Sequence, residues 1–331
     1  MASFVNELEL INIPSFKKEK KAKKKPNKLL RAERRTAFLF ILPPVVSFCV
    51  FTIIPLFVAL ILAFGKFNIF TFEYEFVGLK NFKTLLDTSN VQGRTFVESV
   101  YTTLCFIIEV PIAIALGLLC ATLANAKGCK KTNTIYRILL YLPTVCSAVA
   151  ANVIWRVIFL DGQTPDSSGV INNLFDITVR WTKDKVPLIA AIIIKNSING
   201  MGSAMILYYA SMCNISKEYY EAAEMDGANG FQKFAHITFP MLTPVTFYLL
   251  IMRMAGCLQS YADSAIFAAK NSNAWTVVFY IWNYGINEYN YSLAAAAAVL
   301  LGVVIMSITI VQFRLSNKWV LDLWDTQMKI S

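Results

Sequence analysis

Apolar residues gather into six long stretches along this chain, near Ala37–Phe64, Val100–Ala124, Thr134–Leu160, Pro187–Met212, Met241–Ser260 and Ser292–Phe313. Each reaches the roughly 20 residues that a helix needs to cross the hydrocarbon core of a bilayer. A single run of this kind also fits a buried core helix, but six in one chain leave too little polar sequence to cover them. The pattern predicts an all-α integral membrane protein with six transmembrane helices. One connection departs from it. Residues 213–240, between the fourth and fifth stretches, are polar and charged and carry helical signals of their own.

Composition agrees with the pattern. Of 331 residues, 56% are hydrophobic and 16% charged, against about 25% charged in an ordinary soluble domain. Orientation follows from lysine and arginine in the connecting segments. Eleven lie between Lys17 and Arg35, joined on the same side by Lys127, Lys130, Lys131, Arg137, Lys217, Lys233, Arg314, Lys318 and Lys329. The opposite side holds Lys66, Lys80, Lys83, Arg94, Arg180, Lys183, Lys185 and Lys270. The bias of twenty to eight predicts that both termini and the 213–240 loop are cytoplasmic. A net charge of +10 then needs no nucleic-acid partner; membrane lipid, through its anionic headgroups, accounts for the basic arm. The first apolar run begins 36 residues in, is too long for a signal sequence and ends without a small-residue cleavage site.

Absences narrow the function further. There is no G-x-x-x-x-G-K-[ST], so the chain has no P-loop with which to hydrolyse ATP. G-x-S-x-G and H-E-x-x-H are missing too. The single histidine, His236, reads as a helix-surface residue rather than a base or ligand. None of the seven cysteines falls in an external loop and none forms a CxxC pair, so neither a disulfide framework nor a thiolate metal site is implied. The reading is of a protein without catalytic, cofactor or metal residues.

The cytoplasmic loop is informative residue by residue. Ser216 is a good N-cap, with Glu218 and Glu221 in the first turns where the helix dipole favours negative charge. Gly227 suits a left-handed C′ position. Asn229 caps a second short helix with Phe231 and Phe234 on one face, and Pro240 starts the fifth span. Ala222 and Ala223 would let a partner approach closely. Lipid-lying helices usually carry basic polar faces, whereas this one carries Glu218, Glu221, Glu224 and Asp226. A protein partner fits better.

Polar residues inside spans are costly and face cavities or partners. In the fourth span Asn196, Asn199 and Ser203 share a face, with Lys195 beside them. In the fifth, Arg253, Gly256 and Ser260 do, with Gln259 adjacent. These are candidates for a substrate path, the alternative being polar glue between helices. Lys195 reads either as a snorkelling side chain or as a partner for Glu109. Trp155, Trp181, Trp275 and Trp282, near external span ends, read as interfacial anchors.

Glu221-Ala222-Ala223, Asp226-Gly227-Ala228 and the Ile237…Pro240 ending resemble the EAA loop of permease subunits in bacterial ABC importers. Val77-Gly78-Leu79-Lys80-Asn81-Phe82, Tyr136-Arg137…Tyr141-Leu142-Pro143 and Trp155-Arg156-Val157-Ile158-Phe159 are similar to the maltose-permease type of carbohydrate importer. The resemblance implies residues 37–314 as the six-span domain, 1–36 as a basic cytoplasmic arm and 315–331 as a cytoplasmic tail. It implies residence in the bacterial cytoplasmic membrane, a second homologous permease subunit, a cytoplasmic ATPase dimer and an extracytoplasmic sugar-binding protein. ATP would be used by the ATPase, with Glu221 to Ala223 and Asp226 to Ala228 docking into it. A carbohydrate, by this resemblance an oligosaccharide, would be the cargo. The alanines Ala294–Ala298 would pack against the second permease. Two competitors are an ion- or proton-coupled secondary transporter and a membrane-bound enzyme. The former needs in-span ionisable relays and, often, interrupted helices; Glu109, Lys195 and Arg253 are thin material, and no interrupted pair is evident from the residues.

Overall fold

The computed structural model describes residues 28–126, 130–161, 169–267 and 274–316. Most of the basic arm, the tail beyond residue 316, and Lys127, Cys129 and Lys270 lie outside the described residues. Contacts divide the chain between Val58 and Ala59 into two units. The first is one helix, α1 (Lys28–Phe48), carried through a π-type turn at Cys49–Ile53 into α2 (Ile54–Ala63). Its apolar side chains are left exposed, Phe40 and Phe51 among them.

In the second unit, the end of α2 leads into a hairpin of β1 (Gly65–Asn68) and β2 (Glu73–Phe76), antiparallel with Gly65 opposite Phe76 and Asn68 opposite Glu73. The Val77–Phe82 motif has a structural task here. Gly78 turns the chain with φ +61° and starts α3 (Lys80–Leu86). Asn81 Nδ2 then donates to the carbonyls of Ala63 (2.9 Å) and Gly65 (2.8 Å), satisfying acceptors that the end of α2 leaves open. Phe82 packs on Phe64 with ring centroids 5.2 Å apart.

The second span is longer than its hydrophobicity suggests. It starts at α4 (Val91–Cys105), capped by Asn90, whose side chain accepts from Gly93 N–H at 2.6 Å. A 3₁₀ turn, Phe106–Ile108, joins it to α5 (Glu109–Ala126). The third span is broken. Helix α6 (Lys130–Val145) bends by 98° into α7 (Ala148–Ile158). Pro143, one turn from the end of α6, lacks an N–H and crowds the preceding turn. After α8 (Val170–Phe175) comes α9 (Lys185–Cys213), unbroken over 29 residues.

Helices α10 (Lys217–Met225) and α11 (Gly230–Lys233) form the predicted loop. A π-type turn, Phe234–Thr238, and α12 (Phe239–Met241) follow, and the chain bends by 59° at Leu242 into α13 (Thr243–Leu258). Pro240 therefore sits in α12, and the fifth span proper starts beside Pro244. Short α14 (Ala262–Phe267) and α15 (Val277–Trp282) precede the last span, α16 (Tyr291–Ser316). Among the described residues, four helices are long and apolar enough to cross a membrane, or six with each bent pair taken as one span.

The core forms around α9. Ala204, Met205, Tyr208 and Met212 pack on Val110, Ile114, Cys120 and Ala121 of α5 and on Leu249, Cys257 and Leu258 of α13. One expectation changes. Ala294–Ala297 are buried within the chain itself, Ala295–Ala297 in a cluster with Val277, Tyr280 and Leu85, rather than held for a partner. Trp155 and Trp181 sit against Phe159 (centroids 5.8 and 5.0 Å) and Trp275 against Phe279 (5.0 Å), so these half-buried rings also take part in internal packing.

Replacing Asn81 by Ala removes two bonds at once and leaves both carbonyls unmet. The expected loss is about 1–3 kcal/mol, read as a lower unfolding temperature in detergent; an unchanged midpoint would show that water serves those carbonyls equally well.

Candidate functional site

Beside the break between α6 and α7 lies a polar cavity of about 430 Å³, lined by residues of α5, α6, α7, α9, α13 and α14. Asn196, Asn199, Ser203, Arg253 and Ser260 all line it, as does Gly256. Gln259 does not: it is exposed at the C-terminal end of α13.

Lys195 faces the same space and is 3% exposed. It neither snorkels nor pairs with Glu109. Its ammonium forms an ion pair with Asp263 of α14, which is 8% exposed, and donates to Asn152 Oδ1 of α7. Asn196 Nδ2 bridges the two carboxylates, at 2.7 Å from Glu109 Oε2 and 2.8 Å from Asp263 Oδ2. Ser260 Oγ adds a bond to Asp263 at 2.9 Å. One network thus joins α5, α7, α9, α13 and α14. Asp263 is absent from the sequence-based candidates because it falls beyond the apolar run of the fifth span. The signal for it was a lysine inside the fourth span that required a counter-charge.

Arg253 lies across α9, where its Nη2 donates to the Gly200 carbonyl and to Ser203 Oγ. This approach requires glycine, since a Cβ at Gly200 would come within 2.1 Å of Arg253 Nη1. Asn199 is held at two atoms. Its carbonyl accepts from Thr144 Oγ1 at 2.9 Å and its side-chain oxygen from Trp155 Nε1 at 3.3 Å. Amides, hydroxyls and balanced charges line the space. Such groups offer paired donors and acceptors to a polar, hydroxyl-bearing molecule.

The second feature is the α10–α11 hairpin. Ser216 Oγ accepts from Glu218 N–H, and Asn229 forms a reciprocal capping box with Gln232, at 2.9 and 2.8 Å. Gly227 takes φ +77°. Its N–H bonds to the Glu224 carbonyl (3.0 Å), and that of Ala228 to the Ala223 carbonyl (2.9 Å). Those two bonds are a Schellman turn, which explains why glycine follows the acidic helix. Tyr220 hydroxyl meets Thr238 Oγ1 at 2.8 Å and Lys233 pairs with Glu224 at 2.7 Å, which fixes α10 against the segment after it. No residue of α10 is buried. Glu221, Ala222, Asp226 and Gly227 are exposed and Ala223 and Ala228 half-buried, next to Met225 (90% exposed) and Phe231 (78%). His236 is exposed and bonded to the Gln232 carbonyl at 3.1 Å.

The family described as binding-protein-dependent transport system inner membrane component matches residues 113–320. The arabinooligosaccharides transport system permease protein AraP of Bacillus subtilis is 29% identical over 295 residues, covering 88% of this chain and 91% of its own. The multiple sugar-binding transport system permease protein MsmF of Streptococcus mutans is 25% identical over 285 residues, covering 85% and 94%. Among solved structures, a bacterial ABC transporter involved in import of the acidic polysaccharide alginate has a chain of the same fold. It matches with a TM-score of 0.74 and 22% identity, over 88% of this chain and 98% of that one.

The ion pair sets an expectation for stability. Asp263→Asn strands a buried ammonium and should cost about 3–5 kcal/mol, whereas Lys195→Met combined with Asp263→Leu removes both charges and should cost less. Thermal unfolding of the three proteins in detergent checks the order; equal midpoints would mean that water reaches Lys195.

Proposed function

As a member of the family of binding-protein-dependent transport system inner membrane components, this chain is a multi-pass permease subunit of an ABC importer, and we propose that its cargo is a carbohydrate, most simply an oligosaccharide. The family comprises transport components rather than enzymes. It also removes the ion-coupled secondary transporter, although interrupted helices of the kind such transporters use are present in α6–α7 and α12–α13. Relatives whose names state a cargo support the saccharide reading, as does a cavity lined by amides, hydroxyls and a guanidinium.

The division of labour proposed follows from the two features. The α10–α11 hairpin docks on a cytoplasmic ATPase, with Glu221 meeting a basic residue and Ala222 and Ala223 allowing close approach. Two ATPase subunits closing on ATP move the hairpin, and the spans shift so that the cavity opens to the other side. Coupling then resides in contacts that one state makes and the other lacks. A second, homologous permease covers apolar helix surface that this chain leaves open, including that of α1, and completes the path. A binding protein delivers the cargo on the face opposite α10, with both termini cytoplasmic. The observation that carries the coupling role is the helix α10 itself, capped at both ends, without a buried residue, and acidic where a lipid-lying helix would be basic.

Co-purification of the tagged chain with its coexpressed partners tests this. Glu221→Lys is expected to lower retained ATPase activity by about tenfold or more, the scale expected when like charges are brought together at an interface, with Glu218→Lys lowering it less. Equal retention in both variants, with the chain folded, would end the docking role of Glu221.

A further inference from the structure

Four charged residues line the cavity, and only two of them cancel directly. Lys195 and Asp263 form the ion pair. Glu109 and Arg253 remain, and among the described residues no ion pair joins them. Arg253 uses Nη2 on Gly200 and Ser203, and among the described residues no hydrogen bond engages the other terminal nitrogen of its guanidinium, Nη1. Glu109 accepts from Asn196 through Oε2 only. An acid with a spare acceptor and a base with a spare donor therefore face one polar space.

We propose that Glu109 and Arg253 make the path selective for uncharged saccharides, a refinement that rests on the carbohydrate reading above. A sugar hydroxyl is donor and acceptor together. Glu109 accepts a hydrogen bond from one hydroxyl, and Arg253 donates to the oxygen of another or to a ring oxygen. A uronate carboxylate would bond well to Arg253 but would bring a third negative group beside Glu109 and Asp263. An amino sugar would meet the mirror problem at Arg253 and Lys195. Like charges in a partly desolvated site are costly, and rejecting the wrong cargo in this way is as effective as binding the right one. The lining sums to zero formal charge, so it draws in neither sign.

The test uses the assembled importer without its binding protein, so that only the permease selects. Saturation-transfer NMR compares arabinotriose with a uronate trisaccharide of alginate at one pH and one ionic strength. In the natural protein the uronate is expected to bind about tenfold more weakly. Glu109→Gln, which keeps the shape and removes the charge, should bring the two within about threefold of each other. Arg253→Gln should widen the gap instead, giving a second reading if the first variant folds poorly. Glu98→Gln, whose carboxylate pairs with Lys185 at 4.0 Å away from the cavity, should leave the ratio alone. A purely structural role for Glu109 would change yield or stability without changing the ratio. Equal binding of the two sugars in the natural protein, or a ratio unmoved by both cavity variants, overturns the charge selection and leaves the carbohydrate reading standing. Binding of neither sugar by a folded, ATPase-bound complex overturns both.

Discussion

A lysine and an aspartate, both nearly shut off from the surface, meet between α9 and α14. Removing two charges from water costs more than their attraction returns unless further hydrogen bonds complete the arrangement. Here they do: Asn152 accepts from Lys195, and Asn196 and Ser260 donate to Asp263. The outcome is geometric. The pair holds the short α14 against α7 and α9 and, through Asn196, brings Glu109 of α5 to the same place.

The break in the third span opens onto the cavity that holds this network, while the bend at Leu242 lies in the apolar core. In hydrocarbon, a backbone group without a partner costs several kcal/mol, so irregular backbone is tolerated only where protein or a polar cavity receives it. Both interruptions meet this condition. After Pro143, Thr144 spans to the Asn199 carbonyl, and Cys146 and Ala148 face the cavity. Breaks of this kind occur in several transporter classes, so they indicate a path and do not by themselves indicate what drives it. The family match decides that.

The hairpin of α10 and α11 is built on the opposite plan. Most of the bonds that shape it join residues close in sequence, Ser216 to Glu218, Ala223 to Ala228, Asn229 to Gln232 and Glu224 to Lys233, with Tyr220 to Thr238 the longer tie. Such an element keeps its form without deep burial, which leaves Glu221, Met225 and Phe231 free to meet another surface. A rigid, exposed, locally specified piece beside a long-range polar network is a suitable arrangement for passing motion from one to the other.

The sequence by itself determined the features that depend on composition and near neighbours. Six apolar stretches, the caps at Ser216 and Asn229, and the left-handed Gly227 followed from span length, side-chain oxygens and the absence of a Cβ. The shared face of Asn196, Asn199 and Ser203 followed from helical period alone. Tertiary structure decided what those positions touch. Lys195 had two candidate fates and took neither, because its partner stands 68 residues away on a short helix outside any apolar run. Pro143 signalled a break only weakly, since proline is common in membrane helices, and the bend of 98° needs the space that α9 and α14 leave. Gln259 is exposed outside the cavity that its neighbours Gly256 and Ser260 line, and Ala295–Ala297 turned inward because residues of α15 pack on them. Periodicity states which residues share a face; it carries no information about which other helix that face will meet, and long-range packing settles that.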